Sequence, residues 1–344
     1  MKKLVCAYIY DRSPELPFNL ENMDKVDIVN YSFAKVNDDH TIDTSRLFHL
    51  DDILALQNEN RKVVLSIGGW GADGFSQACS TKENRKIFVE SISEFVKKYQ
   101  IDGIDLDWEY PNSGAAGIAY SQDDTPNFTY FISELRAALD SIKPGLLITV
   151  AVGAGFKCVT DIEIKKIEPL INYLNIMTYD LGHSVDGAYR HHTNLFKEKD
   201  DPQVSGDEAI TWYHEAGMPY EKIIMGSATY GKVFTLDKND APKGHYPYWR
   251  IESEVVNDKT VKFVWNEDAH APLIILNKNH YVTYDDPRSI KEKCAYIKEH
   301  NMAGIMYWEY NSDKFGTLLR TMYENLKWFK SRIFIKIIRS RKSS

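Results

Sequence analysis

Four carboxylates fall within eight residues of an otherwise apolar stretch: Asp102, Asp105, Asp107 and Glu109, set among Gly103, Ile104, Leu106 and Trp108 and followed by Tyr110-Pro111. Read with the two-residue period of a strand, Asp105, Asp107 and Glu109 share one face, while Ile104, Leu106 and Trp108 take the other. Carboxylates stacked this closely in a confined site cannot all stay ionised, so protons are shared and at least one pKa rises. Glu109, last in the row, is then the natural general acid. A calcium loop of the EF-hand kind would need Gly at its sixth position and a polar context, whereas large apolar residues alternate here. No metal and no other cofactor is expected.

Such a strand needs a frame that buries one face and opens the other at its end. Eight short, β-rich apolar runs supply one, at 3–9, 26–34, 62–69, 102–108, 146–153, 173–179, 222–229 and 303–308. Most are continuous, as parallel strands buried on both faces are. Helical spacing lies between them. Ile87, Phe88, Ile92, Phe95, Val96 and Tyr99 form one stripe behind the capping candidates Ser80, Thr81 and Glu83. Phe128, Phe131, Ile132, Leu135, Leu139 and Ile142 form another, opened by Thr125-Pro126 and ended by Pro144-Gly145, and Asp286-Pro287 opens a third.

Strand alternating with helix eight times predicts an α/β fold, a (β/α)8 TIM barrel. Chemistry in such barrels sits at the C-terminal strand ends, which favours catalysis over a solvated acidic edge strand or a metal site for the carboxylate row. The starts of the seventh and eighth strands are 81 residues apart, against 23 to 49 elsewhere. The intervening residues, rich in Tyr, Trp, Pro and Val, predict a small β-rich (α+β) insertion between strand 7 and strand 8, at about 234–284, on the catalytic rim. The barrel is assigned to 1–325 and a basic tail to 326–344.

The 344 residues are 43% hydrophobic, 12% aromatic and 26% charged, which excludes a disordered chain, a collagen-like repeat and a small disulfide scaffold. Seven of the 42 basic residues lie after position 325, so the preceding chain sets 35 against 49 acidic residues. An acidic body argues against nucleic acid as a partner. The tail mixes these charges with Trp328, Phe329, Ile333 and Phe334, a pattern suited to weak association with an anionic surface, or simply to a solvated extension. Cys6, Cys79, Cys158 and Cys294 have no ligand-like spacing and read as free thiols. The chain opens directly in a strand, with an apolar run too short for a signal peptide, and no stretch reaches the roughly 18 apolar residues of a membrane helix.

The acidic row resembles glycoside hydrolase family 18, the chitinases and their relatives, whose signature is DxxDxDxE on the fourth barrel strand. Asp102, Asp105, Asp107 and Glu109 match it, and Ser66-Ile67-Gly68-Gly69 followed by Trp70 matches an SxGG element. Further matches are Met177-Thr178-Tyr179-Asp180, Tyr230-Gly231, Tyr284-Asp285-Asp286 and Met306-Tyr307-Trp308. The resemblance implies substrate-assisted, retaining hydrolysis, in which the 2-acetamido carbonyl of the sugar replaces a protein nucleophile. It implies that Glu109 protonates the glycosidic oxygen, Asp107 holds the acetamido N–H, Asp105 shares a proton beneath it, and Tyr179 bonds the acetamido oxygen. Asp180 joins that cluster, and Trp308 lies under the distorted sugar. Ser66 and Tyr8 support Asp105, while Trp70, Met177 and Tyr230 complete the substrate-binding set.

The implied partner is chitin or N-acetylglucosamine oligosaccharides, acted on by a monomer. Localisation is extracellular by resemblance, or cytoplasmic if Met1 is the true start. The alternatives are an endo-β-N-acetylglucosaminidase acting on glycoprotein glycans or peptidoglycan and, from another class, a chitin-binding lectin, against which the intact Glu109 argues. Lys232 stands where the family often has Arg, which puts subsite binding in question but not the acid chemistry. Trp249 and Trp265 are candidate sugar platforms or aromatic core of the insertion. His183, His191 and His192 read as rim residues, lacking a further ligand at metal spacing.

Overall fold

The computed structural model describes residues 2–15, 19–182, 188–199, 201–237 and 244–327. Its strands are β1 Leu4–Tyr10, β2 Ile28–Val36, β3 Ile42–Asp43, β4 Lys62–Gly68, β5 Gly103–Asp107, β6 Leu147–Gly153, β7 Tyr173–Met177, β8 Ile223–Ala228, β9 Tyr230–Thr235, β10 His245–Pro247, β11 Lys262–Asn266, β12 Ala271–Ile275, β13 His280–Thr283 and β14 Gly304–Trp308. Eight of them pair in parallel in the order β1-β14-β8-β7-β6-β5-β4-β2, and β2 pairs back onto β1. The sheet closes on itself, which is the expected (β/α)8 barrel; β3 is a short antiparallel addition to β2.

Alternation along the strands sorts the residues into two cores. Cys6, Tyr8, Ile28, Val64, Ile224 and Met306 fill the barrel interior. Ile104, Leu106 and Trp108 point outward against the helices, where Trp108 stacks on Phe75 at 5.3 Å. The helix Lys82–Tyr99 starts where Thr81 accepts from the Asn84 amide, and Phe88 on it stacks on Phe131 of the helix Asp124–Ile142 at 4.7 Å. Ile87, counted in the apolar stripe, stands on the exposed side. Asp286 and Ser289 form a capping box on the helix Pro287–Glu299.

The long connection after β8 carries a five-stranded antiparallel sheet in the order β10-β9-β13-β12-β11. It begins at Tyr230, one residue after the barrel strand, so Tyr230 and Lys232 belong to its first strand. Phe234, Leu273 and Tyr281 make its own small core. The basic tail from Trp328 onward lies outside the described residues. Among those described, no helix is long and apolar enough to cross a membrane.

Candidate active site

The site grows from the upper end of β5. Asp102, just below the strand, is committed to structure: it accepts from Gln57 Nε2 at 2.8 Å, the Val63 amide at 3.0 Å and Lys62 Nζ at 3.1 Å. One layer up, the registers Ser66 with Asp105 and Asp105 with Thr149 bring three inward side chains level. Asp105 is fully buried. Its Oδ2 accepts from Ser66 Oγ at 2.7 Å and Tyr8 OH at 3.0 Å, its Oδ1 from Thr149 Oγ1 at 2.5 Å and Asn175 Nδ2 at 3.2 Å. Burial pushes its pKa up and these four donors pull it back. They come from four other strands and occupy both oxygens, and among the described residues no hydrogen bond joins Asp105 to Asp107.

Asp107 is also buried, but its Oδ1 has no hydrogen-bond partner among the described residues. Burial raises its pKa well above the carboxylate range, the charges of Glu109 and Asp105 add to this, and Lys35 opposes it. Glu109, at the mouth, is raised to about 7: burial is the main cause, a hydrogen bond with Tyr110 acts against it, Asp180 reinforces it and Lys35 opposes it. Two buried carboxylates so coupled hold a proton between them near neutral pH.

A cleft of about 640 Å3 opens above the pair. Trp308 lines it, stacked on Phe33 at 5.5 Å and flanked by Tyr10 at 5.6 Å and Tyr8 at 5.8 Å. Met177, Tyr179 and Asp180, at and beyond the end of β7, form the facing wall. Asp180 Oδ1 takes Tyr230 OH at 2.7 Å, Lys232 Nζ at 2.8 Å and His192 Nδ1 at 3.5 Å. Burial alone would raise this carboxyl, but the hydrogen bond and charge of His192, together with Lys232, outweigh it and hold the group ionised. Trp70 stands at the rim, 64% exposed, with its edge toward Tyr110.

Of the residues singled out from sequence, Asp107, Glu109, Trp70, Met177, Tyr179, Asp180 and Trp308 line the cleft. Asp105, Ser66 and Tyr8 sit beneath it, and Tyr230 meets it through Asp180. Lys232 also lines it, as the cation on Asp180. Trp249 and Trp265 do not line it, and the Arg288 guanidinium lies 3.8 Å over the Trp265 ring. His191 and His192 are not rim residues but buried ones, because the chain after β7 folds under the insertion sheet, where the His192 amide donates to Thr283 Oγ1. His183 lies outside the described residues. Sequence reasoning missed Thr149 and Asn175; the available signal was a lone polar residue at an inward position of an apolar strand. It also missed Lys35, Phe33 and Tyr110, which carry no local pattern.

A closed parallel barrel thus carries a buried carboxylate pair at the upper end of β5, beside a cleft lined by aromatic rings. Residues 4–313 match Glycosyl hydrolases family 18, and the chain belongs to that family. It is 29% identical over 300 residues to Chitinase A1 of Niallia circulans, covering 78% of this chain and 43% of that protein. The chain thus spans about half the length of the curated relatives it matches. Among solved structures it is similar to a glycoside hydrolase family 18 N-acetylglucosaminidase from Paenibacillus barengoltzii, with a TM-score of 0.87, 33% identity, and coverage of 94% of this chain and 99% of that one. It is also similar to human YKL-39, solved in the presence of chitooligosaccharides, with a TM-score of 0.82, 25% identity, and coverage of 95% and 100%.

Proposed function

We propose that this chain hydrolyses β-1,4 bonds of N-acetylglucosamine oligomers or polymers as a chitinase-type enzyme, with Glu109 as general acid and the substrate's own acetamido group as nucleophile. The observation that carries the reading is the open Oδ1 of Asp107 beside a glutamate raised to about 7. A buried carboxylate oxygen without a donor is costly, and an amide N–H from a bound sugar would supply the missing partner. Drawing the acetamido group onto Asp107 and Tyr179 would aim its carbonyl oxygen at the anomeric carbon. With the one proton of the pair on Glu109, that side chain would give it to the leaving oxygen, and the anion of Asp107 would stabilise the oxazolinium charge. Asp180 makes a poor nucleophile by comparison, since Lys232, Tyr230 and His192 all draw on one of its oxygens.

The test is hydrolysis of N-acetylglucosamine oligomers against fully deacetylated glucosamine oligomers and cellulose, with the anomer of the first product read by NMR. Only the acetylated substrate should be cut, and the β-anomer should appear first; equal cutting of cellulose sinks the proposal. A second reading, release of single N-acetylglucosamine units, is favoured by the similarity to the Paenibacillus N-acetylglucosaminidase along nearly the full length of both chains. Product lengths from a hexamer separate the two.

A further inference from the structure

Lys35 lies near the end of β2, past the point where the β2–β4 register slips between Ser32 and Ala34. Its Nζ donates to the Gly68 carbonyl at 2.5 Å and lies 5.1 Å from the centre of the Phe33 ring. Gly68 is the register partner of Asp107, the Gly69 amide donates to the Asp107 carbonyl at 2.8 Å, and a Cβ on Gly68 would come within 2.1 Å of that carbonyl oxygen. Lys35 therefore grips the same stretch of backbone that seats Asp107. Phe33, under its ammonium, lines the cleft and stacks on Trp308.

Among the described residues Lys35 forms no ion pair within 4.0 Å. Lys232, which lines the cleft, is by contrast held on Asp180 at 2.8 Å. A half-buried ammonium held by a neutral carbonyl rather than by a carboxylate keeps its full charge, which acts on the carboxylates nearby. The charged and titratable groups around the pair are Asp105 below it on β5, Tyr8 on β1, Tyr110 after it, Cys158 beyond β6, Tyr179 and Asp180 beyond β7, His192 behind Asp180, Tyr230 and Lys232 on β9, His245 on β10, and Lys35 from β2. Arg46 is a further cation acting on Lys35.

We propose that Lys35 is a positioning residue for the reaction: its charge favours the state in which Asp107 is the anion and Glu109 carries the one proton, and so sets the pH window of activity. The inference rests on the hydrolase reading above. Electrostatics agree with the geometry, since Lys35 lowers the pKa of both Asp107 and Glu109 and is itself raised by both, against the lowering by its own burial. The acid limb of activity is then the pair taking up a second proton, and the alkaline limb its loss of the first. Removing a nearby positive charge makes each ionisation harder, so both limbs move to higher pH.

The experiment is the pH profile of kcat/KM on an N-acetylglucosamine oligomer for the wild type, Lys35→Met, Lys35→Gln and Lys35→Arg, with melting curves alongside. Met and Gln should shift both limbs upward by roughly half a pH unit or more, and Arg should leave them in place. Gln can still donate to the Gly68 carbonyl, so a purely structural lysine would leave the limbs of the Gln variant unmoved. Unmoved limbs in a folded Gln or Met variant, or an Arg variant that shifts as Met does, overturn the inference while wild-type activity stands. A wild type that cleaves no N-acetylglucosamine oligomer overturns the hydrolase reading, and this inference with it.

Discussion

Asp105 and Asp107 lie two residues apart on one face of one strand, both buried, and their surroundings are opposite. Asp105 meets donors from β1, β4, β6 and β7. Asp107 keeps an oxygen with none. Leaving a buried acceptor open costs about 1–3 kcal/mol, whereas a filled one contributes modestly and fixes its geometry. The difference teaches where the fold places its strain: the lower carboxylate is locked, and the upper one carries the open oxygen at the cleft. Preorganised acceptors of this kind do not have to rearrange when charge develops in the substrate.

The sharpest way to break this comparison is at its open end. Glu109→Gln should lower kcat/KM by about 10^3-fold with the fold intact, because the amide has no proton to give. It should also reverse a stability penalty. A carboxyl whose folded pKa is about 7 rather than the usual 4.5 binds its proton more tightly when folded, so wild-type stability falls as pH rises between those values. The variant should therefore be the more stable protein above pH 7, by up to roughly 3 kcal/mol, and melting curves at pH 5 and pH 8 check the sign. Asp107→Asn comes next, at roughly 10^2- to 10^3-fold in kcat/KM, since the amide keeps an oxygen but loses the charge that would face the oxazolinium. Near-wild-type turnover in either variant would remove that residue from the mechanism.

The locked end should respond in stability first. Thr149→Val removes the 2.5 Å donor and leaves Asp105 Oδ1 with Asn175 alone. The expected loss is about 1–3 kcal/mol in denaturant unfolding, with a drop in kcat of roughly tenfold or less as Asp105 loosens beneath Asp107. A large fall in kcat with unchanged stability would mean that Thr149 acts on the substrate rather than on Asp105.

The same contrast explains what could be read from the chain. The barrel was legible because parallel strands buried on both faces are continuous apolar runs, and the acidic row was legible because charge breaks such a run at a fixed period. Thr149 and Asn175 were not, since a single Thr or Asn inside Leu-Ile-Thr-Val-Ala-Val or Tyr-Leu-Asn-Ile-Met is an ordinary residue until the register with β5 or the placement across the barrel is known. Lys35 escaped because its link to Asp107 runs through β4, a neighbour only in space. His191 and His192 follow β7 in a loop, a position that by itself predicts exposure, and the insertion sheet that covers them is assembled from strands up to about 90 residues further on.

The smallest effect should come from the first residue of the motif. Asp102 shares the signature with the three carboxylates above it, yet its three donors all come from Gln57, Lys62 and Val63 at the foot of the barrel, and it does not line the cleft. In Asp102→Asn the amide oxygen at the Oδ2 position still accepts from Gln57 and the Val63 amide, while the new NH2 group faces only the Lys62 ammonium. Lys62 is nearly half exposed, so the ion pair itself contributes little. The variant should lose about 1 kcal/mol of stability and keep kcat/KM within twofold. If instead kcat/KM falls a hundredfold while the melting temperature holds, the division of β5 into a structural foot and a chemical head is wrong. The whole row would then have to be treated as one coupled set of protons.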